Sequence, residues 1–432
     1  MSEPGKSAKV TNSFHWYKRY LLTVLLLLLA FNLMERFALG VVLQEIKADL
    51  ALSDTQLGFM SGIAFALFYS VMGIPIARWA DRGNRVTIIS LTAALWSVAV
   101  GSCGVAANFL QLLLIRIGVA VGEAGGVVPA FSLLSDYFDR MERPRALAIY
   151  QLGGPLSIIF GYLLAGWLNE LYGWRVMFML LGAPGLLLAL LTRFTLKEPR
   201  RGVVDRGARA TSQPTLAEVF KTLSGNSTFR HLLLSISVTF FFMWGILQWQ
   251  PTFFLRSYGL SSRQIGAWFA AVYGLGSLLG TYLGGVWASR YAAGNERLQL
   301  RAVSIAMVGS ALLSTCTYLL PNLYLAFALT GGLMFAQTAV NGPLYATIQT
   351  LAPVQMRAMA TAVVLLFANL IGMGLGPLAA GALSDVLRSW AGEESLRFAL
   401  LVLSPGLLWA AWHAWRASHT VTQDLAAVTV RP

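Results

Sequence analysis

The chain alternates long apolar runs with short polar breaks from Tyr20 almost to its end. A run of about 20 apolar residues is long enough to cross a bilayer as a helix. Such runs fall at 20–43, 57–79, 86–107, 109–133, 146–168, 175–195, 232–255, 264–288, 302–320, 323–349, 357–380 and 397–415. The pattern predicts an all-α integral membrane protein of twelve transmembrane helices. The first run carries an interruption. Within YLLTVLLLLLAFNLMERFALGVVL, Glu35 and Arg36 sit side by side near mid-span, with Asn32 one turn earlier. A charge at that depth costs about 2.5–3.5 kcal/mol even on lenient insertion scales, so it is read first as functional.

Composition agrees with the pattern: 56% of the 432 residues are hydrophobic and 12% charged, where soluble domains carry about 25% charged residues. The net charge of +13 does not point to nucleic acid, because Lys and Arg concentrate in alternate connections between the runs. The positive-inside rule then puts both termini in the cytoplasm, and a bacterial inner membrane is the expected location. The first run is long enough to span, so no cleavable signal peptide is expected. Cys103 and Cys316 both fall in predicted spans and are read as packing residues rather than a disulfide. His15, His231, His413 and His419 lie at span ends or tails without the spacing of a metal or catalytic site. Neither a metal, a cofactor nor an enzymatic reaction is expected.

The longest connection, Leu196 to Arg230, is polar, basic and punctuated by Pro. It divides a six-helix bundle (1–195) from a second bundle with its tail (231–432), with a cytoplasmic linker (196–230) between them. Thr215 to Leu223 within it has the pattern of a short amphipathic helix on the membrane surface. Span 5 carries Gly154-Pro155 and span 11, six spans later, carries Gly376-Pro377. Small residues permit close helix approach and Pro bends a helix, so these are expected packing and hinge points of two related bundles.

Chemistry divides unevenly between the bundles. Span 4 reads Arg116-Ile-Gly118-Val-Ala-Val-Gly122-Glu123-Ala. Residues seven apart share a helix face, so Arg116 and Glu123 lie about two turns apart on one side. Burial opposes the charge on such a carboxylate and a neighbouring Arg favours it, a balance suited to a proton carrier. The second half has no acid or base at depth; it offers Trp244, Gln248 and Trp249 in span 7, Gln337 and Asn341 in span 10, and Asn369 in span 11, with Tyr273 and Tyr345 nearby. Neutral polar and aromatic groups orient a ligand without demanding a charge.

Between spans 2 and 3, Gly73-Ile-Pro-Ile-Ala77-Arg78-Trp79-Ala80-Asp81-Arg82-Gly83-Asn84-Arg85 resembles the loop signature of the major facilitator superfamily. It departs from that signature at Ala77, Asn84 and Val86. The resemblance implies that Asp81 meets the N-terminus of a facing helix and that Arg85 pairs with Asp136. With Arg82 these form a latch on the cytoplasmic side. Arg116 matches the superfamily's span-4 arginine, often associated with proton coupling; the alternative for it is a structural ion pair with Glu35. Asn32-Leu-Met-Glu35-Arg36-Phe and Gly122-Glu123-Ala are similar to motifs of the spinster-type facilitators, which carry N-Y-x-D-R-F and G-V-G-E-A. That family implies proton coupling through Glu35 and Glu123 and an anionic headgroup held by Arg36, here with Glu where Asp is usual.

The resulting expectation is a monomeric, proton-coupled secondary transporter working by alternating access. Its cargo would be an amphipathic or anionic small molecule, such as a lysophospholipid or sphingolipid, and its partners that cargo, protons and membrane lipids. Asn32 and the neutral groups of the second half join Arg36 as candidate substrate contacts. An organic-anion symporter of the carboxylate or hexuronate type is the alternative within transport; a non-transporting sensor on the same fold is the alternative outside it.

Overall fold

The computed structural model describes residues 4–139, 141–199, 216–353 and 356–430, and every regular element among them is helical. In chain order these are α1 Pro4–Asp49, α2 Asp54–Arg82, α3 Arg85–Cys103, α4 Phe109–Tyr137, α5 and α6 within Arg143–Thr195, α7 Ser227–Tyr258, α8 Ser262–Tyr291, α9 Glu296–Leu319, α10 Leu323–Leu351, α11 at 357–391 and α12 at 395–430. Ten helical stretches are long and apolar enough to span. Two of them, of 53 and 68 residues, are long enough to cross twice. Both fold back at a glycine with positive φ, Gly173 (77°) and Gly392 (56°). Twelve spans result.

The turns follow from local chemistry. Asn84, Asn108, Asn226, Asn295 and Asn322 each cap the helix that follows, accepting from a backbone N–H three residues on. Ser53 and Ser261 do so within full capping boxes. Each such cap contributes about 1 kcal/mol. Gly173 takes the left-handed backbone closed to other residues, which frees Arg175 to donate to the carbonyls of Gly104 (3.2 Å) and Ala106 (2.6 Å). The expected surface helix forms at Leu216–Ser224; Thr215 lies outside the described residues. Its Phe220 ring stacks on Phe367 of α11 at 5.8 Å.

The two expected hinge prolines, Pro155 and Pro377, sit where a helix restarts. α5 breaks at Leu152 and resumes at Gly153, so Pro155 falls in a first turn, whose N–H groups have no helical acceptor anyway. Pro377 repeats this arrangement in α11, two residues into the helix that follows a π-helical segment, Ala368–Gly374. α2 carries its own π turn, Met60–Ala64, which packs against that of α11. π turns widen a helix by one residue and concentrate at functional places.

The chain gathers into two compact units. One takes the residues up to Ala38, Phe68–Gly161, and the chain from Leu171 through α6. The other takes Leu39–Leu67, Tyr162–Glu170 and the chain from the surface helix onward. The first is cored by Leu21, Leu25, Ile89, Leu133, Tyr150 and their neighbours. In the second, α7, α9 and α12 enclose Phe229, Leu232, Val303, Met307 and Ala414. Within the first unit α3 and α4 approach closely because Gly122 lies against the Trp96 backbone, where an added Cβ would come within 2.5 Å of the amide nitrogen. Gly122→Ala is therefore expected to lower stability by about 1–3 kcal/mol, as overpacking does, read as a lower melting temperature in detergent. An unchanged melting temperature would show that α3 can retreat without cost.

Candidate functional site

α1 and α4 bring together four charges in the first unit. Glu35, Arg116 and Glu123 are 1%, 2% and 0% exposed, and the Arg36 side chain is partly exposed, at 12%. The pairs form between helices rather than along one. Arg116 donates to Oε2 of Glu35, and Arg36 donates to Oε2 of Glu123, through Nε at 2.9 Å and also through Nη2. Neither the adjacency of Glu35 and Arg36 nor the shared face of Arg116 and Glu123 produces the pairing. The Arg36 guanidinium also lies 5.1 Å from the Tyr69 ring centroid. Cys103 of α3, read from the sequence as packing, borders both Arg116 and Glu35.

With both acids ionised the quartet is neutral. Each acid nevertheless keeps one buried oxygen, Oε1, without a donor among the described residues, and the two acids act on each other electrostatically. Asn32 lines a small pocket in the same unit, with Thr92, Trp96, Gly122, Gly126 and Tyr150. The indole Nε1 of Trp96 is buried there without an acceptor.

A second ionic cluster in this unit surrounds Arg85 at the start of α3. Arg85 meets Asp136 at 2.6 Å and Glu198 at 2.7 Å, and it donates to the carbonyl and hydroxyl of Ser132. The other Glu198 oxygen accepts the N–H of Val86. Arg85 and Asp136 were paired in the sequence reading; Glu198, hidden in a basic connection, was not seen. Asp81 and Arg82 are exposed at the end of α2.

In the second unit the neutral candidates separate into two kinds. Trp244 Nε1, Gln248 Nε2 and Gln337 Oε1 are buried polar atoms without a partner among the described residues. Asn341 begins the second part of α10 and Asn369 lies in the π segment of α11, both half-buried. Trp249 is instead fully buried and donates to the Pro377 carbonyl at 2.9 Å, a helix–helix bond. Tyr273 donates to Gln250, which the sequence reading did not single out. Gln250 in turn donates to Thr330 at 3.1 Å.

The same unit holds a charged network that sequence reading left without a role. Asp54, 1% exposed, accepts from Lys47 (2.6 Å), from two nitrogens of Arg256 (2.8 Å each) and from Ser384 (2.7 Å). Arg256 also donates to Gln44. Asp385 takes the opening N–H groups of α2, those of Asp54 (3.1 Å) and Thr55 (2.7 Å), along with the Thr55 hydroxyl. A carboxylate at a helix N-terminus satisfies donors that have no helical acceptor and complements the dipole.

Comparison with known proteins accords with this architecture. The family model described as Major Facilitator Superfamily matches residues 25–377. An "MFS-type efflux pump" of Mycolicibacterium smegmatis is 30% identical over 414 residues, covering 93% of each chain. "Protein spinster homolog 1" of Xenopus tropicalis is 25% identical over 92% of this chain and 80% of its own length. A bacterial homolog of the human lysosomal transporter Spinster, solved inward-facing and unoccupied, superimposes with a TM-score of 0.84 at 31% identity. That match covers 94% of this chain and 98% of the solved one. The protein is thus a multi-pass membrane transporter, not an enzyme, and belongs to the major facilitator superfamily.

Proposed function

We propose that this transporter is proton-coupled and moves an amphipathic or anionic small molecule, lysophospholipid- or sphingolipid-like, by alternating access. The observation that carries the proposal is the buried quartet, in which Glu35 and Glu123 are ion-paired to Arg116 and Arg36 and each keeps an oxygen without a donor among the described residues. A single proton between them supplies the missing hydrogen bond, because a protonated carboxyl donates where a carboxylate only accepts. It also changes the quartet from neutral to one net positive charge. That change biases the inward–outward equilibrium only if the two states hold the proton with different affinity. An anionic cargo competing with Glu123 for Arg36 would couple the two events, since freeing Glu123 from Arg36 favours its protonation. Within the second unit, Trp244 Nε1, Gln248 Nε2 and Gln337 Oε1, without a partner among the described residues, are candidate polar contacts for cargo. Similarity to spinster homologs supports the same choice. In this reading the chain works as a monomer in the bacterial inner membrane with both termini in the cytoplasm, and the Arg85 cluster belongs to the cytoplasmic gate with Asp81 and Arg82.

The test is flux in proteoliposomes holding the purified protein, with and without an imposed pH gradient. Fluorescent lysophospholipid, a sphingoid phosphate and a small dicarboxylate serve as cargoes. Gradient-dependent movement of a lipid-like cargo is expected. Movement of the dicarboxylate alone would favour an organic-anion symporter, flux indifferent to the gradient would remove proton coupling, and no flux of any cargo would favour a sensor.

A further inference from the structure

We infer that α7, α9 and α12, at the end where α7 begins and α12 ends, form a binding site for the headgroup of an anionic glycerophospholipid. α12 presents Trp409, Trp412 and Trp415, 57%, 51% and 42% exposed. Steps of three keep them along one helix face. In a spanning helix exposed Trp marks the headgroup level, where its ring sits in the acyl chains and its N–H in the interface. Cations stand beside these rings. The Arg416 guanidinium lies 6.0 Å from the Trp412 centroid, and Arg301 of α9 lies 5.4 Å from that of Trp415. His231, in the first turn of α7, meets Trp412 edge-on at 5.9 Å. It is fixed there by a 2.9 Å contact between its Nδ1 and that of buried His413. Arg230 adjoins His231 in the chain and Arg416 shares Trp412 with it, so both border the same patch.

What the patch lacks is anions. Among the described residues Arg230, Arg301 and Arg416 form no salt bridge. Asp424, the acid of α12, is engaged with the backbone N–H of Thr228. Arg301 keeps a buried Nε without an acceptor. Guanidinium groups match phosphate oxygens in geometry and charge. Basic clusters at the membrane surface attract anionic headgroups. The exposed Trp face beside the arginines offers apolar contact to acyl chains, which free phosphate cannot use.

The test measures the melting temperature of the full chain in neutral detergent as lipid is added. Phosphatidylglycerol is expected to raise it, with phosphatidylcholine and inorganic phosphate at matched concentration giving no comparable rise. The double variant Arg301→Gln/Arg416→Gln is expected to need roughly tenfold more phosphatidylglycerol for the same rise, from the strength of surface charge–lipid attraction. Native mass spectrometry should show fewer retained anionic lipids on it. If that variant does not yield folded protein, Arg416→Gln alone, at an exposed position, is expected to need roughly fivefold more. An equal response to phosphatidylcholine, an equal response to phosphate, or a variant that responds as the parent does would each overturn the assignment.

Discussion

Glu123→Gln is expected to abolish accumulation driven by a pH gradient while leaving cargo exchange at equal pH measurable. Glutamine copies the shape of a protonated glutamate, so the variant holds the quartet permanently at one net positive charge. The site for a proton shared by two carboxylates is then gone, and a ligand shifts an equilibrium only through a difference between states. Arg36 loses the carboxylate that its Nε and Nη2 both use. Removing one partner of a buried ion pair costs about 3–5 kcal/mol, so a lower melting temperature is expected as well. Flux in the two assay modes separates these effects, because loss of folding depresses both and loss of coupling only one. Gradient-driven accumulation at the parental level would remove Glu123 from the coupling mechanism.

Asp54→Asn is expected to loosen the second unit more than any other single exchange outside the quartet. The carboxylate takes hydrogen bonds from Lys47, twice from Arg256 and from Ser384. An amide cannot accept as many, and it leaves two cations adjacent. By the same reasoning the loss is about 3–5 kcal/mol. The ends of α1 and α2 should then separate from α7 and α11. In a background with Cys103 and Cys316 replaced by Ser, a cysteine at position 44 should react severalfold faster with an impermeant maleimide in the Asp54→Asn variant. Equal labelling rates together with an unchanged melting temperature would show the network to be incidental.

Much of this was legible in the residues. Span number follows from apolar run length, and the quartet from the rarity of charge at depth. Partner choice was legible in part: an ion pair of Arg116 with Glu35 was one of two readings, and the rotation of α1 against α4 selects it over the Glu123 on the same helix face. Asp54, Arg256 and Asp385 read as ordinary charges near span ends, and only the meeting of four helices buries them. Trp249 and Gln250 are neighbours of Gln248 on an almost uniformly apolar helix, where periodicity cannot separate a lining position from a packed one. Glu198 was masked by the bases around it.

The π turn of α2 bears on how this sequence can vary. Ahead of it stands Asp54, held by Arg256 of α7; beyond it stands Ala66, against Gly374 of α11 in the same unit. A residue deleted between Met60 and Ala64 would turn the wide coil into an ordinary one and rotate everything after it by about 100° relative to Asp54. The extra residue thus acts as a phase offset between two sets of contacts on one helix. Insertions and deletions in α2 are constrained by angle as well as by length.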